Sequence, residues 1–308
     1  MEQFLSNFTD HHLAKALKTG KLQFDMGTIK FTVKTSYRNI IPFLRNQYHH
    51  VPVCIEEKLS HFTLQLQAPT KLRQYFRRQV VPVNTGFQGL MPLPLHLAPL
   101  SLEMGLNLHT ALGTYRHLIL HAGAVANSKG EAILMPAGSG SGKSTMTAFL
   151  MENNYRLLSD EFGIIDMKSG LLKPFPRPVS LKNASIDVVK SFTESDQFSD
   201  RFYKTPKGTL AYRRPRQMDL EGRTLDAGCK YILFPKFKVN APSGGQLKEL
   251  RTSESILKMI PGSTNYKALG RSGFDALSSV AEQATCYSLE YNSLEDCQSL
   301  LRQIGVLS

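Results

Sequence analysis

The residues with the most chemical content stand in one short run, Ala137-Gly138-Ser139-Gly140-Ser141-Gly142-Lys143-Ser144-Thr145. It fits the pattern of a phosphate-binding loop, with alanine in place of the first glycine. Small residues let a backbone curl closely around a polyphosphate, so that N–H groups and the next helix N-terminus face negative oxygens. Lys143 is expected to reach the β and γ phosphates, and Ser144 to place its hydroxyl on Mg2+. Gly138, Ser139, Gly140, Ser141, Gly142, Lys143, Ser144 and Thr145 are therefore the expected ATP site. A flexible Gly/Ser linker would need neither the Lys-Ser pair nor a position between an apolar strand and a helix.

A second candidate follows one helix and one strand later. Asp160 and Glu161 close the segment Arg156–Glu161 (RLLSDE). Ligands in open α/β sheets sit beyond the carboxyl ends of strands, so a parallel sheet would bring this pair to the mouth of the loop. One carboxylate could hold Mg2+, directly or through water, and the other could accept a proton from an attacking hydroxyl or water. Two surface acids on a turn are the plainer reading.

These groups must be positioned by strands and helices that the hydrophobic pattern predicts. Leu118–Ala126 and Ala132–Ala137 read as buried strands joined by a turn at Asn127-Ser128-Lys129-Gly130. Lys143–Glu152 reads as a helix, and Arg156–Ser159 and Phe162–Asp166 as strands around the acids. Lys230–Phe234 and Thr285–Tyr291 read as further strands, with helices over Glu254–Ile260, capped by Ser253, and over Leu294–Ile304. The polar stretch Ser191–Gly228 reads as a mobile insertion or a surface loop.

Upstream, residues 1–95 read as a small α+β domain. A hairpin is expected from Leu22–Asp25 and Thr28–Lys34 around Met26-Gly27, a helix over Tyr37–Tyr48, and a strand over His61–Gln67. The proline-rich stretch Val81–Leu100 reads as an extended connector, because residues before proline avoid the α region. A helix over roughly Leu102–Tyr115 then opens the second domain, residues 101–308.

Composition narrows the classes. The 308 residues are 42% apolar and 20% charged, which excludes wholesale disorder. Lys and Arg number 37 against 25 Asp and Glu, a formal charge of +12 that fits an acidic partner or solubility alone. Cys54, Cys229, Cys286 and Cys297 make no CxxC and no metal-ligand spacing, which suits a reducing, cytoplasmic compartment. No secretory signal is read at the start, and the longest uncharged run, Gln79–Leu102, is too rich in proline for a membrane span.

Taken together, LHAGAVANSKGEAILMPAGSGSGKST and YRLLSDEFGIID resemble the kinase domain of HPr kinase/phosphorylase, and more closely its relatives, the HPr kinase-related proteins of the kinase A type. Likeness to HPr kinase/phosphorylase itself runs from His117 to Asp166. Likeness to the related kinases extends to LQFDMGTIKFTVKTS, SLEMGLNL and KPFPRPVSLKN. The resemblance implies a PEP-carboxykinase-like P-loop kinase domain behind the small α+β domain. It implies an active-site role for His121, phosphate binding by Lys143, metal binding by Ser144, and a catalytic base at Glu161 with Asp160 beside it, Asp160 also being the second metal candidate. The family's base is an aspartate where this chain has Glu161. The arginine- and glycine-rich signature of HPr kinase/phosphorylase is absent, so neither HPr as substrate nor phosphorolysis is implied.

Other residues admit two readings each. Arg177, on the proline-braced loop Pro174–Pro178, could contact nucleotide phosphate or brace the fold, and Lys182 follows nearby. Lys207, Arg213, Arg214 and Arg216 could meet an acidic substrate or simply be solvated. Asn265 could touch nucleotide or cap a turn. The leading expectation is a Mg-ATP-dependent kinase acting on a hydroxyl, a serine of a protein or peptide by resemblance. The alternatives are a small-molecule hydroxyl kinase and a non-catalytic nucleotide sensor or scaffold. A nucleic-acid-binding ATPase is disfavoured because no recognised nucleic-acid motif is present. The resemblance also suggests a homo-oligomer.

Overall fold

The computed structural model describes residues 2–83, 90–114 and 116–307. The first elements are α1 (Asp10–Thr19), β1 (Leu22–Asp25), β2 (Lys30–Thr35), α2 (Ile41–Gln47), β3 (Val53–Cys54), β4 (Phe62–Gln67), α3 (Lys71–Tyr75), β5 (Gln79–Val83), β6 (Leu93–Pro94) and α4 (Ala98–Gly113). The strands form a sheet in the order β3-β1-β2-β4-β5-β6. The expected hairpin is present: β1 and β2 pair antiparallel, and Gly27 in the turn has φ +84°. Aromatic rings fill the face of this sheet, with Phe24 stacked on Phe31 and Tyr48 edge-on to both.

Two expectations here need correction. The helix expected over Tyr37–Tyr48 is split into a 3-10 turn at Arg38–Ile40 and α2, with Pro42 in the first turn of α2, where its missing N–H costs nothing. The proline-rich stretch is not a bare connector. Its extended residues, β5 and β6, are strands of the first sheet, and α4 begins at Ala98, with Pro99 in its first turn. Residues 84–89, and Tyr115 at the end of the expected helix, lie outside the described residues. α4 packs on β4 and β5.

The chain continues through β7 (His117–Ala126), β8 (Glu131–Pro136), α5 (Lys143–Glu152), β9 (Arg156–Ser159), β10 (Phe162–Asp166), β11 (Leu172–Lys173), β12 (Val179–Lys182), α6 (Ala184–Lys190), β13 (Phe202–Thr205), β14 (Gly208–Arg213) and α7 (Gln217–Glu221). It ends with β15 (Gly228–Phe237), β16 (Gln246–Glu249), α8 (Thr252–Met259), α9 (Tyr266–Leu269), α10 (Arg271–Gln283), β17 (Thr285–Tyr291) and α11 (Leu294–Gln303). The result is a mixed α/β protein. Its larger sheet runs β11-β10-β7-β8-β15-β17-β16, with β9 also pairing β7.

That sheet is mixed, not parallel. β8, β15 and β17 run parallel, whereas β7 is antiparallel to β8, β9 and β10. β9 and β10 lie in succession along one edge of β7, with Ser159 opposite Ala124 and Phe162 opposite His121. Asp160 and Glu161 occupy the break between them. Because β8 and β9 are both antiparallel to β7, they run in the same direction and their carboxyl ends meet.

The stretch Ser191–Gly228 is not an open insertion. It supplies β13 and β14, which with β12 make a three-stranded sheet, and it buries Leu210, Ala211, Tyr212 and Arg213. The sequence hides this because a charged residue, Arg213, takes an inward position. α8 is capped by a box between the Arg251 N–H and the Glu254 carboxylate, so it starts before the expected Ser253 cap. One core cluster joins residues of the first sheet to Ile119, Phe162, Ile164, Phe175, Leu210 and Tyr212 from the second part. No helix among the described residues is long and apolar enough to cross a membrane.

Candidate active site

The loop Ala137–Gly142 leaves the carboxyl end of β8 and enters α5 at Lys143. Gly142 has φ +89°, and a Cβ there would lie 2.4 Å from the Tyr291 hydroxyl, so only glycine closes this turn. Inside the loop the Ser141 hydroxyl donates to Gly138 O at 2.9 Å, and Phe237 N–H donates to Ser141 O at 3.0 Å. Gly123 on β7 gives the Lys143 side chain its passage: a Cβ there would lie 3.3 Å from Lys143 Cγ and 2.6 Å from Thr147 Oγ1.

The loop forms one wall of a cavity of about 620 Å3. Gly138, Ser139, Gly140, Ser141, Gly142, Lys143, Ser144 and Thr145 all line it, with His121, Glu161, Ser180 and Lys182 beside them. α6 and residues 291–295 complete the lining, including Val188, Tyr291 and Leu294. A cleft of this size, mostly apolar with a few convergent polar groups, is a usual form of small-molecule site.

The expected catalytic residues converge here. Lys143 Nζ lies 3.2 Å from His121 Nε2, and His121 Nδ1 lies 3.1 Å from the Glu161 carbonyl and 3.6 Å from Glu161 Oε2. An ammonium can only donate, so Nε2 accepts from Lys143, and the other nitrogen carries the proton given to Glu161 O. Burial, reinforced by the Lys143 charge, holds the His121 imidazole below its usual range despite Glu161. Burial likewise holds the Lys143 ammonium below its usual range, against the pull of Asp160 and Glu161.

The two acids have opposite environments. Asp160 is 3% exposed, and burial pushes its carboxyl up to about 6. Its Oδ2 accepts from Ser144 Oγ at 2.9 Å and from Ser180 N–H at 3.3 Å, while Oδ1 is buried without a partner. Burial alone would raise Glu161 as well, but Lys143, His121, Arg177 and Lys182 outweigh it and hold that carboxyl below its ordinary range. Two adjacent carboxyls pushed in opposite directions can serve as different tools in one site.

An unpartnered buried carboxylate oxygen beside a serine hydroxyl suits a hard divalent cation, which takes oxygen ligands. Ser144 and Asp160 therefore fit Mg2+. Loop amides, Lys143 and Lys182 fit a polyphosphate, and Lys182 Nζ already reaches Ser139 Oγ at 3.4 Å.

Other sequence candidates sit elsewhere. Arg177 is buried in a crevice next to Glu161, outside the lining of the phosphate cavity. It donates to Glu103 at 3.2 Å and to Asn107, and its guanidinium lies over the Phe175 ring. Glu103 also accepts from the Tyr48 hydroxyl at 2.5 Å, so a buried chain of polar groups runs from α2 through α4 to the wall behind Glu161. Arg213 pairs with Glu152 and donates to Ala148 O, which ties β14 to the last turn of α5. Arg214 pairs with Asp196, and Arg216 with Asp219 and the carbonyls of Met151 and Tyr155. Of that basic cluster, Lys207 alone lines the crevice with Glu161. Asn265 braces β7, accepting from Ile119 N–H and donating to the carbonyls of Thr114 and His117.

Sequence reasoning missed Ser180, whose backbone N–H holds Asp160, and Tyr291, which packs on the loop glycine. The apolar-polar alternation of Val179–Lys182 was the available signal for the first, since it puts Ser180 and Lys182 on one face. No family model and no curated protein matches this chain.

Proposed function

We propose that this protein is a Mg-ATP-dependent kinase that transfers the γ-phosphoryl group to a hydroxyl, in the manner of the HPr kinase-related proteins, with a PEP-carboxykinase-like P-loop domain. The observation that carries this is the convergence of Lys143, His121 and Glu161 with the Ser144–Asp160 pair at the mouth of one glycine-rich loop. A pure nucleotide binder needs no ionised carboxylate held beside the phosphate site.

In this reading the loop amides and Lys143 bind the β and γ phosphates, and Lys182, whose ammonium lies beside Ser139, supports them. Ser144 and Asp160 would hold Mg2+, whose charge would offset that of the phosphate oxygens. Glu161, held ionised, accepts the proton as the acceptor oxygen bonds to the γ phosphorus. The bond from that phosphorus to the β–γ bridging oxygen breaks, and ADP leaves. His121 stays neutral, orienting Lys143 on one side and Glu161 on the other. The sequence resemblance favours a serine of a protein or peptide as acceptor over a small-molecule hydroxyl.

Two measurements test the reading. Mg-ATP is expected to raise the melting temperature of the wild type and to leave Lys143→Ala unmoved, with Mg-GTP and pyrophosphate as comparison ligands. Acceptor-dependent ADP release is expected to vanish in Glu161→Gln while the Mg-ATP shift persists. No shift with any nucleotide at millimolar concentration would overturn the kinase reading. Turnover retained in Glu161→Gln would overturn the assignment of the base.

A further inference from the structure

The first sheet carries a second cavity, more open than the phosphate site and about 870 Å3 in volume. Arg38, Arg73, Arg77, Arg78 and His96 line it, with no aspartate or glutamate among the lining residues. Among the described residues none of these arginines has a carboxylate within 4.0 Å, and residues 84–89, between β5 and β6, carry no acid in sequence. The groove continues past Ser36, Tyr37 and Arg38 into a neighbour of about 460 Å3 that adds His11, Lys15 and Lys18.

The backbone is arranged to gather these charges. Arg77 has φ +44°, a left-handed conformation uncommon for a side chain of this size. In an extended strand, neighbours point to opposite faces, whereas both Arg77 and Arg78 line this groove. Asn39 Nδ2 donates to Leu95 O at 2.9 Å, holding the Arg38 turn against the opposite rim.

We propose that this groove is a docking site for an acidic peptide segment of a partner protein. Several arginine forks without carboxylate partners match side-chain carboxylates, each able to take two parallel hydrogen bonds. Pro94 and Leu95 add apolar surface for the intervening side chains. Nucleic acid fits less well, because bases bind such channels by stacking on aromatic rings. Of the two rings in the lining, His96 is a small imidazole, and Tyr37 is 9% exposed with its hydroxyl turned to Gln79 O at 3.4 Å. The exposed rings of Tyr75 and Phe76 lie outside the lining, and the Arg77 guanidinium sits over the Phe76 ring, 5.6 Å from its centroid. The proposal does not depend on the kinase reading.

The test uses the full chain and two fluorescent probes of equal charge, a poly-glutamate peptide and an oligothymidylate, followed by anisotropy at low and moderate salt. The peptide is expected to bind more tightly, and the Arg73→Gln, Arg77→Gln, Arg78→Gln triple variant to weaken it about tenfold or more. Arg38→Gln, on the opposite wall, should weaken it in the same direction and guards against misfolding of the triple variant. A control with the same charge loss, Lys236→Gln, Lys258→Gln and Lys267→Gln, should change little. Tighter binding of the oligothymidylate, equal weakening in the control, or no peptide binding at low salt would each overturn the proposal.

Discussion

The arginines between residues 177 and 216 and the cations of the two cavities have the same charge and opposite circumstances. Arg177, Arg201, Arg213, Arg214 and Arg216 are each held by a carboxylate, from Glu103, Asp187, Glu152, Asp196 and Asp219 respectively. Their work is internal: they stitch helix ends and loops that lie far apart in sequence. Lys143 and Lys182 instead face a cavity, and Arg38, Arg73, Arg77 and Arg78 face another without ion-pair partners among the described residues. Net charge therefore says little about partners until each cation is asked what already neutralises it. The first set should matter to stability, and the second to ligands.

Variants can break or sharpen that division, and the largest effect is expected from Arg213→Ala. Arg213 is fully buried, and its loss strands the hydrogen-bond acceptors of Glu152 and Ala148, so urea denaturation should show a loss of about 3–5 kcal/mol. A loss below about 1 kcal/mol would remove Arg213 from the internal set. Next comes Lys143→Ala. Saturating Mg-ATP at a hundred times its Kd should stabilise the wild type by about 2.7 kcal/mol and the variant not at all.

Asp160→Asn comes third and has a defined pH signature. The folded protein holds the Asp160 proton up to about pH 6, so it binds more protons than the unfolded chain between roughly pH 4 and 6. The contribution of this group to stability therefore falls as pH rises through that window and stays low above it. Asp160→Asn should show a gain at pH 7.5 relative to pH 4 of about 1–3 kcal/mol without metal. Glu161 has the opposite sign: its depressed carboxyl contributes stability at neutral pH that is lost as pH falls through its folded value. The smallest effect belongs to the groove, where the Arg73, Arg77, Arg78 triple variant should move the unfolding free energy by no more than about 0.5 kcal/mol.

Local patterns made half of this legible. The loop, helix α5, strands β9, β10 and β17, and the acids between β9 and β10 are written in contiguous residues, because strand–loop–helix units announce themselves by period and turn chemistry. What was not legible depends on contacts across long stretches of chain. Arg177 looked like a phosphate ligand until Glu103 and Asn107, more than sixty residues earlier in the sequence, were found around it. Arg213 made β14 look like a solvated loop because its partner Glu152 lies on another element. Asn265 resembled a turn cap, yet its three bonds go to the entry of β7. A polar side chain in a core cannot be read from its own segment, since its partners decide whether burial is tolerable.

The core cluster that runs from the first sheet into Phe162, Phe175 and Tyr212 has a thermodynamic corollary. Apolar contacts shared by both halves leave neither half free to melt alone, so unfolding should proceed as one cooperative event. A molecule bound at the phosphate loop then protects the arginine groove from opening, and a peptide in the groove protects the loop. The two cavities would be linked through the common unfolded state even if no atom moved in response to either occupant.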